Sequence, residues 1–274
     1  MSPGWPERSR LRKFFVWDIG GGVAWLYITL VHRWWPDTRE ALPVEGPLLY
    51  VANHQSFLDP PMVGLQCKSR PAAFLARKTL FDNPLFGRLL RFLNSIPLDY
   101  AAGARAFRAA IDELNAGRCV LIFPEGARCR DGATHEFKPG VMLLIRRCKP
   151  TIVPVAVEGC FDALPMKGRP RFGAKTVSRI GTPIPAAELL ALDTPAALDR
   201  MRRAVEEIRL ELRAELRAAS GGTYPAPGPG DRPYWEREAE TSPDGTADSG
   251  ADTARAADTA DTTADAAPST AARD

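Results

Sequence analysis

The sequence predicts an α/β fold, in which a mainly parallel central sheet is flanked by helices. Short apolar segments at 48–52, 120–123 and 152–157 have the length of buried strands, and segments with helical periodicity lie between them. The first two apolar segments each end in a polar loop. Functional sites of open α/β sheets form at the carboxyl ends of strands, so these two loops are the first place to look for one.

The most apolar segment of the chain, residues 14–35, comes first and follows a basic stretch. Asp18 and a run of glycines interrupt this segment. A central Asp costs about 3 kcal/mol in a bilayer, so a full span is disfavoured. We therefore expect a membrane-associated helical segment that lies in the interface, with its tryptophans near the headgroups. These tryptophans are Trp17, Trp25, Trp34 and Trp35. The alternative is an ordinary buried helix of the globular fold.

Helix and strand patterns alternate along the middle of the chain. After a proline-containing linker at 36–47, the expected elements are a helix at 60–66, strands at 72–76 and 95–98, helices at 85–93, at 104–114 and from Pro139, and an edge strand within 171–180. The apolar run at 152–157 is nearly continuous, as expected for a strand that is covered by helices on both faces.

The last predicted helix begins with Thr194 as its N-cap and Pro195 in its first turn. From Ser220 onward, Pro and Gly clusters give way to a low-complexity sequence of Ala, Thr and Asp, which cannot bury enough apolar surface to fold alone. The sequence therefore divides into a basic N-terminus with a membrane-binding helical segment (1–40), an α/β domain (41–219) and an acidic disordered tail (220–274).

Charge is distributed unevenly over these parts. The chain has a formal net charge of +3, but residues 220–274 hold eleven acidic residues against four arginines, so the preceding residues carry +10. A basic body favours anionic partners such as phospholipid surfaces, phosphate-bearing substrates or acidic proteins. Nucleic acid also fits the charge, but no nucleic-acid-binding module is recognisable, and we expect no nucleic-acid partner. The five cysteines include no CxxC pair, which indicates reduced thiols rather than a zinc site.

The loop after the first strand has the sequence NHQSFLD, which contains a candidate acid–base pair. His54 follows the strand, and Asp59 lies five residues later. A neutral imidazole accepts a proton near pH 7, and a nearby carboxylate holds the ring and stabilises the imidazolium. This pair predicts a general base. The absence of GxSxG, HExxH and P-loop patterns gives no support to an α/β-hydrolase nucleophile, a zincin or a P-loop nucleotide site.

The loop after the 120–123 strand has the sequence FPEGAR, and a later strand has the sequence IVPVAV. NHQSFLD, FPEGAR and IVPVAV, in this order, resemble the motifs of the glycerolipid acyltransferase family, the lysophosphatidic acid acyltransferase group, over about residues 45–185. The resemblance implies transfer of a fatty acyl group from acyl-CoA or acyl carrier protein to a lysophospholipid. The expected acceptor is 1-acyl-sn-glycerol-3-phosphate and the product is phosphatidic acid, with no metal and no bound cofactor.

The resemblance also implies roles for individual residues. His54 is expected to be the base and Asp59 its orienting partner. Arg128 offers a planar bidentate donor to the acceptor's phosphate, and Lys78 matches a basic position that the family uses for phosphate. Glu125 is expected to contact the glycerol hydroxyl or to shape the loop around Arg128. Gly126 allows a close backbone approach.

Three positions depart from the family pattern: Ala127 and Cys129 stand where the family usually has Thr and Ser, and Tyr100 stands where it has Arg. These departures motivate two alternatives: acylation of another acceptor, such as glycerol phosphate or a different lysolipid, and a non-catalytic peripheral lipid-binding protein. Cys129 itself is expected to be an inert thiol. The remaining histidines are expected to have local roles, His32 in the interfacial segment and His135 in a polar loop.

The expected location is the cytoplasmic face of the cell membrane, as a peripheral or monotopic protein. The basic flank would keep the N-terminus cytoplasmic. A full span would then export the rest of the chain, away from cytosolic acyl donors. A cleaved signal peptide is poorly supported, because no A-x-A site follows a clean apolar core. The expected partners are membrane lipids, the lysophospholipid and the acyl donor.

Overall fold

The structure is a computed structural model, and it describes residues 19–38, 42–99, 102, 107–166 and 169–241. Trp17, Asp18, Tyr100 and the predicted tail from residue 242 onward lie outside these ranges. Within them a seven-stranded sheet forms the centre of the molecule. Its strands are β1 (Trp35–Thr38), β2 (Leu48–Ala52), β3 (Ala72–Arg77), β4 (Ser95–Leu98), β5 (Cys119–Ile122), β6 (Thr151–Glu158) and β7 (Val177–Ile180).

Helices cover both faces of this sheet. They are α1 (Gly21–His32), α2 (Asp59–Gln66), α3 (Pro84–Phe92), α4 (Arg108–Asn115), α5 (Gly140–Cys148), α6 (Cys160–Ala163), α7 (Ala186–Leu190), α8 (Thr194–Ala219) and α9 (Tyr234–Thr241). Short 3₁₀ turns occur at Lys78–Phe81 and Pro229–Asp231. The sequence predicted most of these elements, with boundaries that differ by a few residues.

The strand order is β1-β7-β6-β2-β5-β3-β4, and β6–β7 is the antiparallel pair among six neighbouring pairs. The prediction of a mainly parallel α/β sheet is therefore confirmed. The central strand β2 pairs in register with β5 on one side (Leu49 with Val120) and with β6 on the other (Leu49 with Ile152). Every residue of β2 and β5 is buried, which explains why their sequences are apolar without alternation.

Two strands differ from the prediction. β7 is an inner strand, because it pairs with both β6 and β1, whereas an edge strand was expected there. The edge beside it is β1, which forms inside the region predicted to be a linker. A Pro within a short strand is tolerated at a sheet edge, where one side of the strand needs no partner. The sequence WPDT has no strand pattern of its own, so pairing with β7 decides its conformation.

The start of α8 also needs a correction. The N-cap is Asp193 rather than Thr194, since its side chain accepts a hydrogen bond from the backbone N–H of Ala196 at 2.8 Å. The proline in the first turn is as predicted.

The N-terminal helix α1 has two different sides. Ile28 and His32 are buried against the sheet domain, and the next aromatic residue, Trp34, is also buried, with its indole N–H donating to Ser178 Oγ at 3.0 Å. The expectation that Trp34 and His32 face the interface is therefore wrong. Other apolar side chains of this region are exposed: Ile19, Val23, Trp25, Leu26, Tyr27, Leu30 and Trp35. Within the described ranges, the molecule has no helix with the length and apolar character needed to cross a bilayer.

The predicted disorder from Ser220 onward is wrong for residues 220–241. These residues fold back along α8, and α9 buries Tyr234 against it, where the Arg202 guanidinium lies 3.6 Å from the Tyr234 ring centroid. Backbone carbonyls hold the segment as well: Arg213 donates to the carbonyl of Ala226 at 2.7 Å, and Arg209 to that of Gly230 at 2.8 Å. The segment is ordered by arginines of another element, and its own composition gives no sign of this.

A buried ion cluster joins α8 to the end of β6. The Glu158 carboxylate accepts from Arg209 Nη1 at 3.0 Å and from Arg213 Nη1 at 2.6 Å. Arg209 also makes a bidentate pair with Glu206, and Arg213 donates to Asp231 at 2.6 Å. Arg209, Glu158 and Glu206 are almost completely buried. Charges at such depth are tolerated because each is matched by opposite charge and hydrogen bonds.

Replacing Arg209 by Met is expected to lower the free energy of unfolding by about 3–5 kcal/mol, because Glu158 and Glu206 would lose a buried counter-charge. Urea denaturation of the full chain, followed by circular dichroism, measures this loss. The matched control is Arg200→Ala on the same helix, where an exposed pair with Glu188 is expected to contribute less than about 1 kcal/mol. Equal losses in the two variants would contradict the structural role of the cluster.

Candidate active site

Two loops leave the same edge of the sheet and meet. β2 and β5 are parallel neighbours, paired from Leu48 with Cys119 to Val51 with Ile122, so their carboxyl ends lie side by side. The loop after β2 carries His54, and the loop after β5 carries Glu125 and Arg128. The neighbouring strand β6 contributes its last residue, Glu158, at the same edge.

His54 and Asp59 form a close pair. His54 Nδ1 lies 2.8 Å from Asp59 Oδ2, and the same oxygen accepts from the backbone N–H groups of Gln55 at 2.6 Å and Ser56 at 2.7 Å. Asp59 is buried at the first residue of α2, where a helix N-terminus favours a negative charge. An oxygen that accepts these bonds also accepts from Nδ1–H, which leaves the lone pair on Nε2. The His54 side chain is 17% exposed and so remains within reach of a substrate.

The His54 ring is held from its face as well as from its edge. It stacks on Phe123, with the ring centroids 4.2 Å apart and the planes inclined by 23°. Stacking and the Asp59 bond together fix the ring orientation, which a general base requires.

Glu125 joins the two loops. Its Oε1 accepts from the backbone N–H of His54 at 2.9 Å, and its Oε2 accepts from the backbone N–H of His135 at 3.3 Å. In the opposite direction, the backbone N–H of Cys129 donates to the His54 carbonyl at 2.7 Å. Gly126 makes the turn between them with φ of +75°, a conformation that favours glycine. Burial raises the pKa of Glu125 to about 8, although the two N–H donors lower it.

Arg128 points outward from this loop. Its guanidinium carbon lies 3.8 Å from the centroid of the Phe57 ring, and 55% of Phe57 is exposed. Among the described residues, the Arg128 side chain has no carboxylate partner. Partial burial lowers the pKa of Arg128, but a guanidinium stays charged at neutral pH. Within the described ranges, a cation with no carboxylate in ion-pair contact therefore stands beside the His54 loop, on the same loop as Glu125.

Lys78 is placed differently. It follows β3, which lies two strands away from β2 along the sheet edge, or about 10 Å at the usual strand spacing. Its ammonium pairs with Asp99 Oδ2 at 2.9 Å on the surface, and this pairing raises the pKa of Lys78. Lys78 thus shares the edge with His54 and Arg128, but its ionic contact is with Asp99.

Gln55 and Asn53 are site residues for which no role was predicted. Asn53 clamps β6 through two bonds to the backbone of Val157, at 2.9 and 3.0 Å. The buried Gln55 side chain donates to Glu158 Oε2 at 3.1 Å and to the Gly132 carbonyl at 3.3 Å, and it accepts from the Phe161 N–H at 3.2 Å. The residues on both sides of His54 are therefore anchored to other elements. Their position as polar residues just after a buried strand is the sequence feature that could have indicated a role for Asn53 and Gln55.

A cavity of about 240 Å³ lies beside this loop, lined by Arg130, Phe161, Pro165 and Met166. The hydrogen bond between Phe161 and Gln55 connects its wall to the His54 loop. His54, Asp59 and Arg128 do not line it.

The remaining predicted residues have local roles. His135 Nε2 contacts Asp131 Oδ1 at 2.9 Å, on the surface. Cys129 is buried, and burial raises the pKa of its thiol, which makes the reactive thiolate rare. In the part of the chain that the structure describes, no group of three His, Cys, Asp or Glu side chains is arranged to hold a metal ion.

The chain is similar to known acyltransferases in sequence and in structure. Residues 37–158 match the family model described as Acyltransferase. A chloroplastic 1-acyl-sn-glycerol-3-phosphate acyltransferase of Arabidopsis thaliana is 29% identical over 124 residues, which are 44% of this chain and 34% of that protein. The 1-acyl-sn-glycerol-3-phosphate acyltransferase of Bacillus subtilis (strain 168) is 26% identical over 65% of this chain and 87% of its own length.

The chain spans less than half the length of several curated relatives that it matches, including those from Arabidopsis thaliana and Chlamydomonas reinhardtii. Among solved structures, it is similar to the crystal structure of the 1-acyl-sn-glycerophosphate (LPA) acyltransferase PlsC from Thermotoga maritima. The TM-score is 0.58 and the sequence identity 27%, with 74% of this chain and 83% of that chain covered.

The raised pKa of Glu125 makes stability depend on pH. The folded protein holds this proton up to a pKa of about 8, whereas the unfolded chain releases it near the ordinary value of 4.5. The stabilisation from the bound proton is therefore complete below the lower value, decreases as the pH rises, and is lost once the pH passes the higher value. Glu125→Gln carries a permanently neutral side chain and has no such dependence at this position.

We expect the free energy of unfolding of the wild type, relative to Glu125→Gln, to fall by about 4 kcal/mol between about pH 5 and about pH 9. Urea denaturation across this range measures the difference. The matched control is Glu136→Gln, since Glu136 is exposed in the same loop. If the difference between wild type and Glu125→Gln did not change with pH, Glu125 would not hold a proton in the folded protein.

Proposed function

We propose that this chain, whose residues 37–158 match the Acyltransferase family model, transfers a fatty acyl group from a thioester donor to the free hydroxyl of a lysophospholipid. The preferred acceptor is 1-acyl-sn-glycerol-3-phosphate, and the product is phosphatidic acid. The observation that carries this proposal is the pairing of His54 with Asp59 at 2.8 Å in a loop that is bonded directly to the loop of Arg128. A base and a cation at one sheet edge suit an alcohol that carries a phosphate.

The proposed reaction uses His54 twice. Its Nε2 takes the proton of the acceptor hydroxyl as the oxygen attacks the thioester carbonyl, and Asp59 stabilises the imidazolium that forms. The tetrahedral intermediate then collapses, the carbon–sulfur bond breaks, and the departing sulfur takes the proton from the imidazolium. The ester and a free thiol are the products, so no covalent enzyme intermediate is needed. No metal or bound cofactor takes part in these steps.

Arg128 is the proposed phosphate ligand, because it presents a planar fork of donors without a carboxylate partner among the described residues. Lys78 reaches the same phosphate only if it exchanges its surface contact with Asp99, so we assign it a supporting role. Of the two expectations for Glu125, loop shaping is better supported than contact with the glycerol hydroxyl. Both of its oxygens already accept backbone N–H groups. Gly126 supports that turn.

The acyl donor in this proposal is acyl-CoA or acyl carrier protein. The reaction consumes only the thioester, which both donors share. A comparison of the two donors in one assay decides between them.

The proposed location is the membrane surface, at its cytoplasmic face, with α1 as the contact. Seven large apolar side chains between residues 19 and 35 are exposed in this region. Exposed apolar surface of this extent marks an interaction site, and an interfacial helix buries such a stripe among lipid headgroups. Leu85 and Phe86 on α3 add exposed apolar surface near the strand that precedes Lys78.

A second acceptor class is favoured by one observation. Ala127 is exposed in the loop of Arg128 and has no hydroxyl to offer where the family pattern has Thr. Acylation of glycerol phosphate or of a lysolipid with another headgroup is the corresponding alternative. A lipid-binding protein without catalysis would bind vesicles and release no thiol from the donor.

A thiol-release assay tests the proposal by crossing acyl-CoA and acyl carrier protein with a panel of lysolipid acceptors. His54→Ala is expected to lower kcat by about 10²–10⁴-fold with the preferred pair, because a positioned base contributes this much. The matched control is His135→Ala, whose side chain contacts Asp131 at the surface and is expected to retain wild-type turnover. Near-wild-type turnover of His54→Ala would refute its role as the base.

Arg128→Ala is expected to raise the KM for 1-acyl-sn-glycerol-3-phosphate by about 10-fold or more, since a charge-assisted bond to phosphate contributes about 1.5–3 kcal/mol. The KM for the donor is expected to stay constant. Arg147→Ala, an exposed arginine at the far end of α5, serves as the control. If the KM for the donor rose more than the KM for the acceptor, Arg128 would bind the donor and the proposed phosphate contact would be wrong.

A further inference from the structure

We propose that the surface loop around Phe172 is a second contact with the bilayer, and that its arginines select anionic phospholipid. The loop contains Arg169, Arg171 and Phe172, all exposed. This inference rests on the proposed membrane association of α1 and extends it to an element more than a hundred residues away in the sequence.

Hydrogen bonds fix the Phe172 loop to the end of α1. The backbone N–H of Gly173 donates to the Val31 carbonyl at 2.7 Å, and the N–H of Thr176 donates to the His32 carbonyl at 3.1 Å. Trp35 completes the connection, because its N–H donates to the Thr176 carbonyl at 3.3 Å. The loop and the last turn of α1 are thus joined, so a bilayer that contacts one of them would also contact the other.

Phe172 is the most exposed aromatic residue described, with 78% of its surface accessible. On α1, Leu30 is 70% exposed one residue before Val31, the residue that bonds the loop. A large apolar side chain left in water is unfavourable, and an aromatic ring is favourable at headgroup level. The two side chains therefore extend the exposed stripe of α1 onto a separate element.

Positive charge surrounds this apolar surface. Arg33 directly follows α1, and Arg169 and Arg171 precede Phe172; all three are exposed. The helix α1 contains no acidic residue. On the neighbouring elements, the Asp37, Glu211 and Glu215 carboxylates all contact Arg179, at 2.6, 2.8 and 2.7 Å, so one positive charge balances only part of their negative charge. Basic residues beside an apolar wedge fit a bilayer that carries negative charge.

The test measures partition of the full-length protein into vesicles of phosphatidylcholine, with and without phosphatidylglycerol. Phe172→Asp is expected to weaken binding to both kinds of vesicle by about 10-fold. The double variant Arg169→Glu with Arg171→Glu is expected to lose only the additional binding to phosphatidylglycerol, an effect that salt screens. Leu192→Asp is the matched control, because Leu192 is exposed in the turn before α8, and it is expected to bind like the wild type.

Several outcomes are distinguishable. If the wild type binds neither kind of vesicle, the proposed membrane association itself is wrong. If the wild type binds and Phe172→Asp binds equally well, the Phe172 contact is wrong while α1 stands. If Phe172→Asp keeps vesicle binding but raises the KM for acyl carrier protein, the surface docks an acidic protein, which overturns the lipid assignment. Transfer to a short-chain soluble acceptor is expected to be unchanged in Phe172→Asp, and this confirms that the variant is folded.

Discussion

The site depends on the hydrogen bonds between two neighbouring strand-end loops. The His54 N–H reaches the Glu125 carboxylate, and the Cys129 N–H reaches the His54 carbonyl, so each loop satisfies polar groups of the other. The parallel pairing of β2 with β5 makes this possible, because both chains leave the sheet at one edge. Without this connection, the base and the Arg128 guanidinium would belong to two independently mobile surface loops. With it, their relative position is fixed by the sheet.

The His54 loop is also held by a buried cluster of charged residues. Gln55, next to His54, bonds the Glu158 carboxylate, which is held by Arg209 and Arg213 of α8. Those arginines in turn hold Gly230 and Asp231 of the C-terminal segment. A buried ion cluster contributes little net stability compared with an apolar core, but it permits few alternative arrangements. Its effect here is geometric, since it connects the His54 loop, the sheet and the C-terminal segment.

The sequence predicted what local patterns determine. The strands at 48–52 and 152–157 were predictable because an unbroken apolar run has few other uses, and the motifs located His54, Asp59, Glu125 and Arg128. The missed features depend on distant partners. β1 is a strand because β7 pairs with it, and the C-terminal segment is held by the arginines of α8 and by the Tyr224 hydroxyl, which bonds the Gly159 and Lys175 carbonyls. Gln55 and Glu158 are 103 residues apart, so no local pattern relates them.

The proposed lipid surface and the proposed reaction centre are separated by a single helix. α1 packs on α2, and α2 begins with Asp59, the carboxylate that orients His54. A lysolipid has its acyl chain in the membrane and its hydroxyl and phosphate in the headgroup layer. An enzyme that acts on it must therefore hold its base at about that depth. A rigid connection from the exposed apolar helix α1 to the Asp59 carboxylate satisfies this condition. The depth of α1 in the bilayer would then set the height of His54 above the acyl chains.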